Sequence, residues 1–468
     1  MTIASSLGVA EGHVGHCALR VPLESSAVSS VLIGEVGPDL DRGPRGARRD
    51  TCPSVHVPFQ TVDGALLRVR LPGGQLNAAM LRSVAEVVGW NAGSLVELTN
   101  RANLQIRGVL PGDVDRARVV LTDSGAVRAN GNGDARVNVV GSPLTGIDPT
   151  EVLDVRATVA MVADLLYTEA PPGLPAKFGV IVDAGGDVHL RGRRHDLALG
   201  AVVTDNSVCF EVVLGDGLAL DRAAQPVLLV DPAAVPTLVS AVMALCATGE
   251  RGADVLAHHG YAALMDRLAQ DVGDGARLVY PNTVRSRWQP SQIPVGVGAG
   301  WVSGTPVLGR MCADDLGSLA DLADAHSGGD IRITPWRNVV LPTSDTHEVQ
   351  TGLHQLHMYT DGHDPVQSVV ACAGSTGCSS GTADTQAHGR ALINMLRALP
   401  ATAQPSSVHL SGCAKGCAGT ARSTFTLIAG DTPDTYDIHI NASVQQSGAA
   451  VASGLDVPEA LNYVVDHV

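Results

Sequence analysis

Four cysteines carry the clearest chemistry in the chain. Cys372-Ala-Gly-Ser-Thr-Gly-Cys378 is C-x5-C and Cys413-Ala-Lys-Gly-Cys417 is C-x3-C, so four thiols fall within one stretch near the end of the sequence. Thiolates at such spacings hold zinc or an iron–sulfur cluster. Structural zinc sites space their cysteines two to four residues apart, which C-x5-C exceeds, whereas a larger inorganic core needs a wider loop. Gly and Ser between the thiols let backbone amides approach cluster sulfides closely. A cluster is the favoured reading, with zinc or unligated thiols as the alternatives. Cys17, Cys52, Cys209, Cys246 and Cys312 stand singly and read as small apolar residues. A disulfide framework does not suit a long chain expected in the cytoplasm.

Basic side chains supply the second kind of chemistry. Lys177 and Lys415 are the only lysines, with arginine at every other basic position. Where Arg is so strongly preferred, a retained Lys marks a place for a compact ammonium. Lys415 lies between two candidate thiolate ligands, where its charge would offset theirs and raise a cluster's potential. Arg101, Arg107, Arg332 and Arg337 lie in two strand-like segments, and guanidinium forks bind carboxylates in a bidentate way. Alternation puts Arg101 and Arg107 on one side only if their strand runs unbroken. Trp336 offers a ring for stacking or for the core. His354, His357, His363 and Asp361 have a spacing that a facial iron triad could use.

The elements that must position these residues show a repeat. Leu66–Leu71 alternates as a strand, Pro72-Gly-Gly74 turns the chain, and Asn77 caps a helix to about Val88. Short strands follow at Val96–Leu98 and Leu104–Arg107. One constant offset lays Leu76–Val88 on Met311–Ala323 and Glu97–Asn103 on Arg332–Asn338, with Thr99 on Thr334 and Asn103 on Asn338. A register kept across helix, loop and strand implies two related halves. Each half begins with a β-α-β unit and continues into a longer α/β segment. The first includes a helix over about Thr150–Tyr167. The second includes strands at Val366–Ala371, Val408–Leu410 and Thr424–Ile428 and a helix over about Asp384–Leu399.

Composition closes off several function classes. A net charge of −15 argues against nucleic-acid binding and against a polybasic membrane patch. With 45% apolar and 17% charged residues, a sizeable core is expected. The apolar window Pro232–Gly249 is at or below spanning length and contains Pro236, so it reads as a buried or amphipathic helix. The first basic side chain is Arg20, which leaves no signal-peptide pattern, and the expected location is cytoplasmic. Residues 1–48 show no sustained periodicity and read as a flexible arm.

C-x5-C followed by C-x3-C resembles the cluster motif of the sulfite/nitrite reductase superfamily, as do the repeat, Leu98–Val109 and Pro175-Ala-Lys-Phe178. The resemblance implies an α/β (α+β) fold of two pseudo-symmetric halves, each a ferredoxin-like unit plus a larger reductase-type domain. The boundaries are then 1–48 for the arm, 49–118 and 119–290 for the first half, and 291–350 and 351–468 for the second. Leu67–Gly74, Ile293–Gly298, Gly329–Arg337 and Ser411–Cys417 are most similar to the precorrin-3B synthase family within that superfamily.

That family hydroxylates precorrin-3A at C20 with closure of a γ-lactone, using dioxygen and electrons from NADH, in aerobic cobalamin biosynthesis. The resemblance implies a [4Fe–4S] cluster on Cys372, Cys378, Cys413 and Cys417, beside Lys415, and a non-heme iron. Arg101, Lys177 and Arg332 would be catalytic. Arg101, Arg107, Arg337 and Trp336 would bind the carboxylate-rich tetrapyrrole. Gly296-Val-Gly-Ala-Gly300 lacks the third glycine of a dinucleotide fingerprint, so a separate reductase or ferredoxin would deliver the electrons. The alternative is a siroheme sulfite or nitrite reductase. Gly179 stands where such enzymes have a second lysine, and Trp336 matches Arg101 of the first half, so less positive charge is expected here than oxyanion reduction requires.

Overall fold

The computed structural model describes residues 52–204, 207–215, 225–279, 293–419 and 421–468. The expected arm at 1–48 lies outside them, as does Cys17. The first ferredoxin-like unit contains β1 (Phe59–Thr61), β2 (Gly64–Val69), β3 (Gln75–Asn77), α1 (Ala78–Gly89), β4 (Leu95–Leu98), β5 (Leu104–Val109) and α2 (Val114–Asp123). Asn77 caps α1 as expected, its Oδ1 accepting from the Met80 amide at 2.8 Å. The buried side of α1 carries Leu81, Val84, Val87 and Val88.

The larger domain of the first half follows: α3 (Gly131–Asp134), β6 (Val139–Gly141), α4 (Arg156–Thr168), β7 (Val180–Asp183), β8 (Leu197–Thr204), β9 (Ser207–Leu214), β10 (Val227–Val230), α5 (Val235–Cys246), α6 (Gly252–His259), α7 (Tyr261–Val272) and β11 (Ala276–Val279). The apolar window around residue 240 is α5, which buries Val235, Leu238, Val239, Val242 and Met243. Among the described residues, no helix is long and apolar enough to cross a membrane.

The second half repeats the pattern. Its ferredoxin-like unit has β12 (Gly296–Gly298), β13 (Trp301–Gly304), β14 (Arg310–Met311), α8 (Ala313–His326), β15 (Asp330–Ile333), β16 (Val339–Pro342) and α9 (Thr346–Gln355). Its larger domain has β17 (Val369–Ala371), α10 (Gly374–Gly377), α11 (Thr385–Arg397), β18 (Val408–Ser411), β19 (Ser423–Ala429), β20 (Thr435–Ala442), β21 (Ala452–Asp456) and α12 (Val457–Asp466). In the first large sheet β6, β7 and β8 are parallel and β9 antiparallel; in the second, β17, β18 and β19 are parallel and β20 antiparallel. This is the two-half α/β architecture that the repeat implied.

The halves exchange strands. β3 of the first pairs with β15 of the second, and β14 of the second pairs with β4 of the first. The helices α1 and α8 share one apolar core that also joins both ferredoxin-like sheets. Neither large domain shares it; each has its own core.

The short strands expected at Val96–Leu98 and Leu104–Arg107 are β4 and β5, and Thr99–Ala102 form a tight turn between them, so the unbroken strand on which alternation of Arg101 and Arg107 depended is not formed. The Thr99 amide donates to Asn103 O at 3.0 Å, and Ala102 sits at φ 56°. The second half builds the same turn, with the Thr334 amide on Asn338 O at 3.0 Å and Arg337 at φ 64°. Thr and Asn closing the turn make these side chains loop residues, so alternation does not govern them.

Candidate functional site

The cysteines sit on loops at the carboxyl ends of neighbouring parallel strands. Cys372 and Cys378 follow β17; Cys413 and Cys417 follow β18. Two adjacent βα crevices are where open α/β sheets gather their ligands. The Gly412 amide donates to Cys372 Sγ at 3.1 Å. Thr385 and Gln386, at the start of α11, hold the Cys372 carbonyl at 2.9 and 2.8 Å. Glycine lets the loops approach each other: a Cβ on Gly412 would lie 3.4 Å from Cys372 Sγ, and one on Gly381 would lie 2.6 Å from the Gly374 carbonyl carbon.

The four thiols form one electrostatic group. Burial pushes the Cys413 thiol up, with further contributions from Cys372 and Cys378, and burial and the other three cysteines push Cys417 up to about 11. Lys415 opposes this at both thiols, as expected of an ammonium facing the group, and its Nζ also donates to Ser380 Oγ at 2.8 Å. Yet among the described residues no three Cys, His, Asp or Glu side chains converge closely enough to share one metal ion. Four thiols on two adjacent loops, with the Gly412 amide aimed at the Cys372 sulfur, are a donor set that a multi-iron core would fit. The proposed triad does not assemble either, since His354 Nε2 is engaged by Thr360 Oγ1 at 2.7 Å.

A second site lies on the first half. Asn100, Arg101, Asn138, Lys177, Arg193, Arg194, His195, Asp196 and Arg251 line one cleft. Arg101 and Lys177, far apart in sequence, therefore meet as expected. Asp196 is the one carboxylate there, and Arg251 already holds it through two bonds of 2.7 and 2.8 Å. Behind the cleft, Arg70 is 4% exposed and donates to Asn138 Oδ1 at 3.3 Å. Burial lowers the Arg101 pKa and brings that of Arg193 to about 10, with Arg337 adding to the effect on Arg193. Burial, then Arg70, brings Arg68 to about 10 as well. Cys52, expected to be incidental, lies beside Arg68, Arg70 and Arg101. Cations gathered in one cleft, several of them half-buried, favour an anionic guest. The cleft thus corrects the expectation of sparse positive charge. Arg68 and Arg70 were passed over within the Leu67–Gly74 strand motif, and Arg193, Arg194 and Arg251 lie in no motif that the sequence singled out.

Arg332, expected to be catalytic, and Arg107 and Arg337, expected to bind substrate, make contacts within the protein. Arg332 is 2% exposed and donates to Pro143 O, Thr145 O and Asp330, so it ties the second half to the first. Arg107 pairs with Asp63 at 2.8 Å and donates to Gly377 O beside Cys378. Arg337 donates to Ala418 O beside Cys417. The forks of Arg107 and Arg332 are taken up by partners within the protein, whereas Arg337 spends one nitrogen on Ala418 O. Trp336 packs with Leu144, Val188 and Val340 beneath the Arg193 guanidinium, 4.4 Å from the ring centroid.

Residues 59–119 and 298–359 each match the nitrite/sulfite reductase ferredoxin-like half domain, and residues 132–268 match the nitrite and sulphite reductase 4Fe-4S domain. The chain belongs to the nitrite and sulfite reductase superfamily. This superfamily member is 29% identical to the precorrin-3B synthase of Sinorhizobium sp over 85% of its own length and 83% of that relative. It is 26% identical to the chloroplastic ferredoxin–nitrite reductase of Arabidopsis thaliana over 75% of its length, spanning 65% of that enzyme. The Synechococcus elongatus ferredoxin–nitrite reductase is 25% identical over 84% of the chain and 79% of the relative. The fold is that of Mycobacterium tuberculosis NirA, at a TM-score of 0.70 and 21% identity, covering 86% of this chain and 81% of the other. The 4Fe-4S-domain match falls on the first half, where the cysteines are the buried Cys209 and Cys246. That match reflects the repeated fold; the four-cysteine set belongs to the second copy.

Proposed function

We propose that this oxidoreductase is a precorrin-3B synthase, acting on precorrin-3A in aerobic cobalamin biosynthesis. The observation that carries the reading is the cleft in which Arg101, Lys177, Arg193 and Arg194 converge, with Arg337 between it and the Cys417 loop. A tetrapyrrole edged by carboxylates satisfies such a cationic cleft, and guanidinium forks orient it. The 29% identity to a precorrin-3B synthase over most of both chains supports the same choice.

In this reading Cys372, Cys378, Cys413 and Cys417 hold a [4Fe–4S] cluster, which supplies single-electron transfer when bound. The Gly412 amide and Lys415 stabilise the negative charge on the thiolates. Arg101, Lys177 and Arg193 bind substrate carboxylates and fix which macrocycle edge faces the cysteine loops. Partial burial of Arg101 and Arg193 weakens the competition of water for those two guanidiniums, which strengthens their ion pairs. Dioxygen and NADH-derived electrons complete the reaction, the latter through a separate reductase or ferredoxin. No residue set for a mononuclear iron forms among the described residues, so no step is assigned to one.

A siroheme nitrite or sulfite reductase is the second reading, favoured by the same cationic cleft and by identities of 25–26% to ferredoxin–nitrite reductases. Anaerobic purification with a visible spectrum and iron and sulfide analysis separates the two. A broad sulfide-to-iron shoulder with equal iron and sulfide, followed by oxygen-dependent conversion of precorrin-3A, supports the synthase. Sharp bands from an extractable siroheme support the reductase. A colourless zinc protein overturns both.

A further inference from the structure

We propose that Arg107 and Arg337 are paired positioning residues, one from each ferredoxin-like half, that clamp the two cysteine loops and raise the reduction potential of the cluster between them. The inference rests on the four-cysteine reading and deepens it.

The two contacts correspond. Arg107, on β5 of the first half, donates to Gly377 O, the carbonyl just before Cys378. Arg337, in the turn after β15 of the second half, donates to Ala418 O, the carbonyl just after Cys417. Each loop of the cysteine set is thereby anchored to a different half. Each anchor packs against a glycine, where a Cβ would push the arginine aside. A Cβ on Gly377 would lie 2.7 Å from Arg107 Nη2, and one on Gly309 would lie 3.1 Å from Arg337 Cδ. Arg337 also occupies the left-handed region at φ 64°, which non-glycine residues adopt where surrounding structure requires it. Its counterpart in the repeat, Ala102 at φ 56°, carries no such reach. The turn geometry is common to both halves, and the long cationic side chain is peculiar to the half that faces the cysteines.

The charges differ in their compensation. Arg107 is held by Asp63 at 2.8 Å and lies 3.5 Å from Glu97, which also receives Arg310 from the exchanged strand β14. This clamp is therefore fastened to the strand exchange. Its guanidinium also interacts with Cys378. Arg337 is half-buried, with Glu97 as its opposing charge among the described residues, and its field reaches Arg193 in the cleft and His409 on β18. A guanidinium beside negative thiolates favours the reduced, more negative cluster, so loss of either charge should lower the potential.

The test uses the anaerobically purified full chain and its R107Q, R107K, R337Q, R337K and G377A variants. Sulfide per chain, the rate of sulfide loss to a chelator, the cluster's midpoint potential by EPR-monitored titration and thermal unfolding are compared. The Gln variants should lose sulfide about tenfold faster, as outer-shell changes at metal sites do, and titrate at more negative potential. The Lys variants should recover the potential but not the slow release, since Lys lacks the fork. G377A keeps every charge and should speed release while leaving the potential nearer the wild type; it carries the test of that loop if R107Q does not fold. A wild-type cluster with variants unchanged in release and potential overturns the clamp alone. A wild-type chain without sulfide overturns the cluster reading and the clamp with it.

Discussion

Ser142 occupies in the first half the place that Cys372 holds in the second. The Ser142 amide donates to Val182 O at 3.1 Å, and the Cys372 amide to Leu410 O at 3.2 Å. The Ala184 amide then donates to Ser142 Oγ at 2.8 Å, as the Gly412 amide does to Cys372 Sγ at 3.1 Å. The backbone cradle is common to both copies, and at this one of the four thiol positions the copies differ by a single atom, oxygen for sulfur.

The substitution that copies the first half into the second follows directly. C372S keeps an acceptor for the Gly412 amide and changes little volume, so the fold should survive with its unfolding temperature near the wild type. Serine is a poor ligand for iron at neutral pH, and bound iron and sulfide should fall to a small fraction of the wild-type content. Iron and sulfide assays beside a thermal melt read both halves of the expectation.

The cationic cleft predicts opposite signs for binding and stability. R101Q and K177Q each remove a charged hydrogen bond to substrate, worth about 1.5–3 kcal/mol, or roughly 10–100-fold in affinity. Both relieve repulsion among crowded cations, so thermal stability should hold or rise. Titration of a polycarboxylate porphyrin, followed by fluorescence quenching, measures the first effect. Binding should also weaken as salt is raised, because the attraction is ionic. A loss of stability matching the loss of affinity would count against the cleft as an anion site.

Arg332 should behave in the reverse manner. Its guanidinium satisfies Pro143 O at 3.0 Å and Thr145 O at 2.7 Å in a buried setting, and Asp330 at 2.9 Å. R332L strands two carbonyls and should lower stability by about 2–4 kcal/mol. Porphyrin affinity should stay at the wild-type level in the folded fraction. Urea unfolding together with the same titration distinguishes the two arginines cleanly.

What sequence revealed and what it hid follows the range of the interactions. The four cysteines, the Asn77 cap, α1, α11 and the repeat register are local patterns, and they were legible. Arg101 and Lys177 came from short motifs, and the fold brought them together. Arg107, Arg332 and Arg337 each donate to backbone carbonyls in another domain, Gly377 O, Pro143 O with Thr145 O, and Ala418 O, which no pattern near them in sequence announces. The exchanged strands β3 and β14 are too short for periodicity to register. The break at Ala102 was foreshadowed by Thr99 and Asn103, whose recurrence at Thr334 and Asn338 marks a turn rather than a strand.

His409 sets a pH dependence that can be worked out in sign. It is 1% exposed on β18, and burial, with Arg337 nearby, lowers its pKa from 6.5 to about 4. As pH falls from about 6.5 toward 4, the unfolded chain takes up a proton that the folded chain refuses, so stability declines across that window and this contribution levels off below it. The full difference is at most about 3 kcal/mol, from 1.36 kcal/mol per unit. H409Q should flatten that part of the urea midpoint against pH, while R337Q, by removing the repelling charge, should raise the folded-state pKa, so that the decline still begins near 6.5 but levels off at higher pH with a smaller total loss. An H409Q profile that parallels the wild type between pH 7 and 4 would assign the acid sensitivity to other groups.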